Sequence, residues 1–479
     1  MRSDSAMSKV PITVRWALLA LCVLSNAASA QESAKRLHLL LDDAEIETMN
    51  NLLRVLHSPT PKEVVLELDR PYEDSTMYDP TVIYENGRYR MWYRANFNAR
   101  PFYTGYAEST DGIHWTKPDL GLIEYGSSKQ NNIVWPVPGG KGHTLSFFRD
   151  DNPRTPASER YKAIGLESEK VNGKSRAVLY GMVSPDGLHW RQAQPEPIVR
   201  APLDDPQFDS HNIALWDSAR NQYAIYARGW ARHEVRDIRR FTSTDFRNWS
   251  TPRYVDFGAA PIEELYKNAA IPYFRRPDII LMFPKRFLPQ RKFDPDWKED
   301  GLSDVVFTFS RDGLRFDRRF MEAFIRPGPD PLNWHERAIE AGPTLVPAGV
   351  SEMALYYMEH YRSPKVRIRR GVLRTDGFVS LRGGYQGGSF VTMPLRVQGS
   401  QLLLNYSTSA AGSVRVEVQD AKGRPLPGFA LADCLEIFGD EIDRKAAWKS
   451  GGDLARLAGQ TVRLKIEIKD GDLYSYRIQ

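Results

Sequence analysis

The sequence runs to 479 residues, which exceeds one ordinary domain and sets an expectation of two. With 42% hydrophobic and 26% charged residues it is globular in composition rather than disordered. The net charge of +5 is small for this length, and Lys and Arg are interleaved with Asp and Glu, which excludes a nucleic-acid-binding stripe.

In chain order, the first feature is a targeting segment. Lys9 and Arg15 form a basic stretch, Trp16 to Leu24 an apolar run too short to cross a bilayer, and Ala28-Ser29-Ala30 a small-residue cleavage site. Residues 1–30 are read as a signal peptide, Gln31 as the mature start, and the protein as secreted or periplasmic. Cys22 follows Leu21, not the small residue that a lipid attachment site would want. Cleavage leaves Cys434 as the one cysteine, so no intramolecular disulfide is expected. No later stretch of 18 apolar residues appears, so no membrane association is expected after cleavage. Residues 31–69 form an N-terminal extension. Leu37, Leu39, Leu40, Leu41, Leu52 and Leu53 predict a helix over residues 34–56 that packs on the following domain.

From residue 70 to 385 a degenerate repeat sets the fold. Ser109-Thr110-Asp111-Gly112-Ile113-His114-Trp115 recurs as Ser184-Pro185-Asp186-Gly187-Leu188-His189-Trp190. Looser copies are Ser243-Thr244-Asp245-Phe246-Arg247-Asn248-Trp249, Ser310-Arg311-Asp312-Gly313-Leu314-Arg315-Phe316 and Arg374-Thr375-Asp376-Gly377-Phe378. The copies are roughly 60 to 75 residues apart, which suits one propeller blade with its loops. Asp-Gly marks a tight turn, because Gly tolerates positive φ. Strand-like runs precede each copy, among them Tyr89 to Tyr93, Tyr223 to Ala227 and Met353 to Tyr357. The expectation is an all-β chain with a five-bladed β-propeller over residues 70–385. Over residues 386–479, Leu402 to Leu404, Val414 to Val418 and Val462 to Ile468 predict a C-terminal β-sandwich.

In a propeller the innermost strands surround the axis, and their ends open into one pocket. The segments that begin the first strand of each unit hold Tyr78 and Asp79, then His143, then Asp209 and His211, then Glu263, Glu264, Tyr266 and Asn268, then His335, Glu336 and Arg337. Asp79, Asp209 and Glu263 or Glu264 thus converge on one pocket. Gathered carboxyls are what glycosidic cleavage needs, one ionised and one holding a proton. Arg94 and Arg228 are placed to hold Asp79 and Asp209 ionised or to clamp an acidic group. Tyr78, Trp92, Arg94, His143, His211, Arg228, Glu264 and Asn268 complete the candidate substrate-binding set. The repeat residues Asp111, Asp186, Asp245 and Asp312 are read as turn formers. No metal-binding motif and no cofactor motif is present, although His143, His211 and His335 at strand starts leave room for an axial metal such as calcium. The expected partner is a carbohydrate.

The run Tyr106 to Pro118, with Leu120-Gly121-Leu122, Asn131 to Val134, Phe208 to Asn212, Arg236 to Arg240, Arg318 to Pro327 and Leu404 to Ser413, resembles the secreted propeller proteins grouped as glycoside hydrolase family 32-like. In the related propeller families 32, 43 and 68, an early Asp is base or nucleophile, a later Asp tunes it, and a Glu is the general acid. The resemblance implies that Asp79, Asp209 and Glu263 fill these roles. Glu263 is preferred to Glu264 because Glu263-Glu264-Leu265-Tyr266 matches a Glu-x-Leu-Tyr pattern. The family 32 run W-M-N-D-P-N is reduced here to Met77-Tyr78-Asp79-Pro80. The expected activity is hydrolysis of O-glycosidic bonds in an oligo- or polysaccharide. The alternatives are a non-catalytic sugar-binding propeller and a lyase or phosphorylase on the same scaffold.

Overall fold

The computed structural model of the chain describes residues 37–203, 208–230 and 235–479, so the expected signal peptide lies outside the described residues. Their regular elements are β-strands, with short 3-10 turns at Ala157–Glu159, Pro331–Trp334, Leu431–Asp433 and Ala455–Leu457. They divide into two compact units. One is Leu56–Phe378, and the other joins the segment up to Val55 with Val379–Gln479.

The Leu56–Phe378 unit is a succession of small antiparallel sheets laid down in chain order. The first holds Tyr78–Glu85, Arg88–Arg94, Thr104–Ser109 and Ile133–Trp135. The second starts with His143–Arg149, Tyr161–Val171 and Lys174–Ser184, and the third runs Ile213–Asp217, Gln222–Gly229, Asp237–Ser243 and Arg253–Tyr254. The fourth is split into two short ladders. Glu264–Lys267, Lys285–Leu288 and Leu302–Val305 form one, and Ile271–Tyr273, Arg276–Met282 and Thr308–Ser310 the other. The fifth pairs Glu340–Ala341 with Glu352–Glu359 and then Arg367–Arg374, and its last strand is Thr60–Glu67 from the other end of the unit.

Each repeat copy sits where a third strand ends. The amides of Gly112, Gly187, Phe246 and Gly313 donate to the hydroxyls of Ser109, Ser184, Ser243 and Ser310 at 2.8–3.0 Å. Asp111, Asp186, Asp245 and Asp312 each accept two following amides, as Asx turns do. An aromatic side chain of one sheet then reaches the turn of the next. Trp92 donates to the Gly187 carbonyl at 2.8 Å, Tyr226 to Gly313 at 2.6 Å, and Tyr273 to the Asp376 carboxylate at 2.5 Å. Phe148 of the second sheet packs edge-on against Phe246 of the third, with ring centroids 5.9 Å apart. Tyr356 of the fifth sheet donates to Gly112 of the first at 2.8 Å. The relay therefore returns to its start.

A second regularity lies at the first strands. Asp79, Thr144, Phe208, Ala269 and Arg337, one for each sheet, have φ between +45° and +68°. Such values are costly for side chains with a Cβ, most of all for β-branched Thr144. The fifth sheet meets the first closely at Gly342, where an added Cβ would lie 1.9 Å from the Pro80 carbonyl oxygen. Gly342→Ala is expected to lower the unfolding free energy by about 1–3 kcal/mol or more through overpacking. Urea unfolding checks this, and a midpoint equal to the wild type's would show that the two strands can separate at no cost.

In the other unit, Leu402–Gln419 and Thr461–Ile478 pair along nearly their whole length, with a register shift between Thr408 and Ser413. Their core includes Phe390, Tyr406, Val414, Trp448 and Ile466. Cys434 is buried there as a free thiol. The helix expected over residues 34–56 is not formed. Leu37–Leu39, Ile46–Asn50 and Leu52–Leu56 are strands, the first two paired with Ser475 to Arg477 and Ser389 to Thr392. Leu37 and Leu39 are buried with half-buried His38 between them, a two-residue period. The strand partners lie more than 300 residues away, so the local leucine spacing suggested a helix.

Candidate active site

The first strands of all five sheets meet at one group of buried side chains. Asp79 from the first is 1% exposed and ion-paired to Lys267 from the fourth. Lys267 also contacts Glu340 of the fifth sheet at 2.7 Å. The Nδ1 of His211, just before the third sheet, lies 3.7 Å from Asp79, and its Nε2 lies 3.2 Å from the Leu145 carbonyl of the second sheet. Arg94 closes on Asp79 at 3.4 Å.

Beside this core, Lys285 donates to the Tyr78 hydroxyl at 2.5 Å and contacts Glu340 at 3.3 Å. Lys267 lies 3.2 Å from the centre of the Tyr78 ring, and the Tyr361 ring packs against that of Tyr78 with centroids 4.6 Å apart. Two irregularities bring these groups together. A register shift between Tyr78 and Thr81 accompanies the left-handed Asp79, and another between Leu265 and Lys267 breaks the alternation of that strand. Bulges of this kind re-aim side chains that strict pleating would send to opposite faces.

The two carboxyls are pushed in opposite directions. Burial disfavours the charge on Asp79, but Lys267, His211 and Arg94 outweigh it and hold the carboxyl well below the usual range. Burial pushes Glu340 up, against the pull of Lys267 and Lys285 and with the help of the Asp79 charge. Burial also brings the Lys285 ammonium down to about 7, with Glu340 opposing and Lys267 adding repulsion. Burial and the Glu340 carboxyl push the Tyr78 phenol well above its ordinary value. The Oδ2 of Asp79 is buried with no hydrogen-bond partner among the described residues and faces the Arg94 guanidinium at 3.4 Å.

Burial lowers His211 to about 4, with Asp79 pulling the other way. Its folded value therefore lies below the unfolded one near 6.5, so the unfolded chain binds the proton first. Stability is expected to fall as pH drops from about 6.5 to about 4, by about 3 kcal/mol for this group. Urea unfolding at pH 7 and 4.5 tests it. His211→Asn should flatten the slope, and an unchanged slope would mean that His211 is not held neutral.

Of the other expected site residues, Asp209 has a side chain 73% exposed and pairs with Arg228 at 3.2 Å. Glu263 is gripped by Arg286 and Arg318, each at 3.0 Å, and Arg286 also pairs with Asp304. Glu264 pairs with Arg236. His143 contacts the Phe97 and Phe102 rings. Two expected binding residues are corrected. Trp92 is fully buried, and its indole is committed to Gly187. Asn268 is 1% exposed and spends its amide on the Tyr226 carbonyl and the Ala270 amide. Neither presents a polar atom to a ligand. Sequence reasoning passed over Lys267, Lys285 and Glu340. The signal available for Lys267 was a lone lysine directly after Glu263-Glu264-Leu265-Tyr266, on a strand already placed at the centre. Among the described residues, no group of three or more His, Cys, Asp and Glu side chains is arranged to hold a metal ion.

No protein-family model matches the chain, and no curated protein matches it. Among solved structures it is similar to an N-acetylgalactosamine deacetylase from F. plautii in complex with blood group B trisaccharide. The identity is 15% and the TM-score 0.46, over 68% of this chain and 97% of that one. It is also similar to a GH32 β-fructofuranosidase of Bombyx mori, at 9% identity and a TM-score of 0.40, over 89% and 94% of the two chains. A third is the GH93 α-L-arabinofuranosidase of Fusarium graminearum, at 10% identity and a TM-score of 0.40, over 68% and 98%. The ligands and reactions in those names are those proteins' own.

Proposed function

We propose that the chain is a secreted glycoside hydrolase of five-bladed β-propeller type with a C-terminal β-sandwich, and that its reaction is centred on Asp79 and Glu340. The blade reading is supported by five sheets in chain order, a last sheet completed by Thr60–Glu67, and an aromatic relay from Tyr356 back to Gly112. The observation that carries the chemistry is the pair of carboxyls driven apart in one cluster, Asp79 towards its charged form and Glu340 towards its neutral one. In this reading the ionised Asp79, whose Oδ1 shares the Lys267 ammonium with the Glu340 carboxyl and so lies within about 5 Å of it, bonds to the anomeric carbon as nucleophile while Glu340 gives its proton to the departing glycosidic oxygen. Glu340 then takes a proton from the water whose oxygen displaces Asp79 from that carbon. Glu340 takes the acid role that the sequence resemblance assigned to Glu263, because Glu263 is already held by two guanidiniums. Asp209, at Arg228, stands at the periphery.

The full burial of this network and its compensation by Lys267, Lys285 and Arg94 also fit a sugar-binding propeller without chemistry. Incubating the purified protein with a glycan panel separates the two readings. Release of new reducing ends by the wild type, lost in Asp79→Asn, is the expected result. Binding without release would leave the non-catalytic reading. Export is tested by sequencing the N-terminus of secreted material, which should begin near Gln31.

A further inference from the structure

Several guanidiniums stand beside the Asp79–Glu340 cluster. Arg337 and Arg362 both pair with Glu336, and Arg362 also reaches Glu299 at 4.0 Å. Arg228 is 6% exposed, while its partner Asp209 stands 73% in solvent. The Nε of Arg228 is buried and has no acceptor among the described residues. Both Arg228 and Arg337 lie against the Tyr266 ring, at 5.3 and 5.4 Å from its centre, and Arg337 donates to the Tyr266 hydroxyl at 2.8 Å. Tyr266 immediately precedes Lys267, and Lys285 donates to the Arg337 carbonyl at 3.0 Å, so this arrangement adjoins the reacting carboxyls. Arg337 also holds φ +56, a strained conformation for a side chain of that size.

A buried guanidinium with a spare donor, its one carboxylate facing water, is poised to exchange that partner for another anion. A carboxylate suits the planar fork of Arg in a way that a neutral hydroxyl does not. We infer that the glycan is acidic, with a uronic acid carboxylate received by Arg228 and Arg337, which both lie against the Tyr266 ring. This rests on the hydrolase reading for its location and names the substrate class of that site.

The test compares uronic-acid oligosaccharides with the same oligosaccharides after carboxyl reduction, using the full-length protein. Binding is read by calorimetry and cleavage by reducing-end release. The acid form should bind the wild type about 10- to 100-fold more tightly than the reduced form, the size of a charge-assisted hydrogen bond. Arg228→Gln should collapse that ratio, and Arg228→Lys should restore only part of it. Equal binding and cleavage of reduced and acidic chains would overturn the inference and leave the hydrolase reading intact. Preferential binding of the acid form with no cleavage would uphold the inference and sink the hydrolase reading. Binding of neither form would overturn the inference.

Discussion

Lys267→Met is expected to lower the unfolding free energy by about 3–5 kcal/mol, the cost of removing one partner from a buried ion pair. Lys267 is buried between Asp79 and Glu340, which are themselves at most 1% exposed. Taking away the ammonium leaves two carboxyls in a dry site facing one another, with only Arg94 and Lys285 to offset them. The loss has a pH signature. Asp79 is depressed in the folded state, so its contribution is present above the unfolded value of about 4 and disappears as pH falls through the folded value. The gap between wild type and Lys267→Met should therefore be widest above about pH 4 and narrow below it. Urea midpoints within about 1 kcal/mol of each other for wild type and Lys267→Met at neutral pH would show that the cluster is hydrated.

Some of this was legible in the sequence, for identifiable reasons. The repeat was visible because four of its five copies build the same turn from local hydrogen bonds, Ser109 to Gly112 and Asp111 to His114 in the first. Local chemistry leaves a local pattern. That Tyr78, Asp79 and His211 would lie near one another could be anticipated, because the start of each first strand can be counted from the repeat. Lys267 and Glu340 were missed because the search was for acids on their own, whereas Asp79 is ionised by a cation nearly 190 residues away. Trp92 was misread because an aromatic in a core strand and one lining a sugar cleft have the same sequence context. Only the indole bond to Gly187, in the next sheet, separates them. The strands at residues 37–56 failed for the same reason, since their partners are fixed by tertiary pairing and not by neighbours in the chain.

The largest effect expected on turnover comes from Asp79→Asn. On a substrate identified from the panel, kcat should fall by about 100- to 10,000-fold, the order that loss of one positioned catalytic group costs. The amide keeps the shape of the carboxylate but cannot form the bond to the anomeric carbon. Glu340→Gln should cost as much on an ordinary glycoside, whose leaving oxygen needs a proton. It should cost far less on an aryl glycoside with an acidic phenol, which can depart as the anion. Glu340→Gln should also remove the alkaline limb of the pH–rate profile, because that limb marks loss of the acid's proton. Glu263→Gln provides the decisive contrast. Its carboxylate is tied to Arg286 and Arg318, so the substitution should act on stability and leave the leaving-group dependence unchanged. If Glu263→Gln instead shows the aryl-glycoside rescue and Glu340→Gln does not, the acid is Glu263. Glu340 is then a counter-ion to Lys267 and Lys285, and the opposed shifts of Asp79 and Glu340 reflect burial of a charge network with no part in proton transfer.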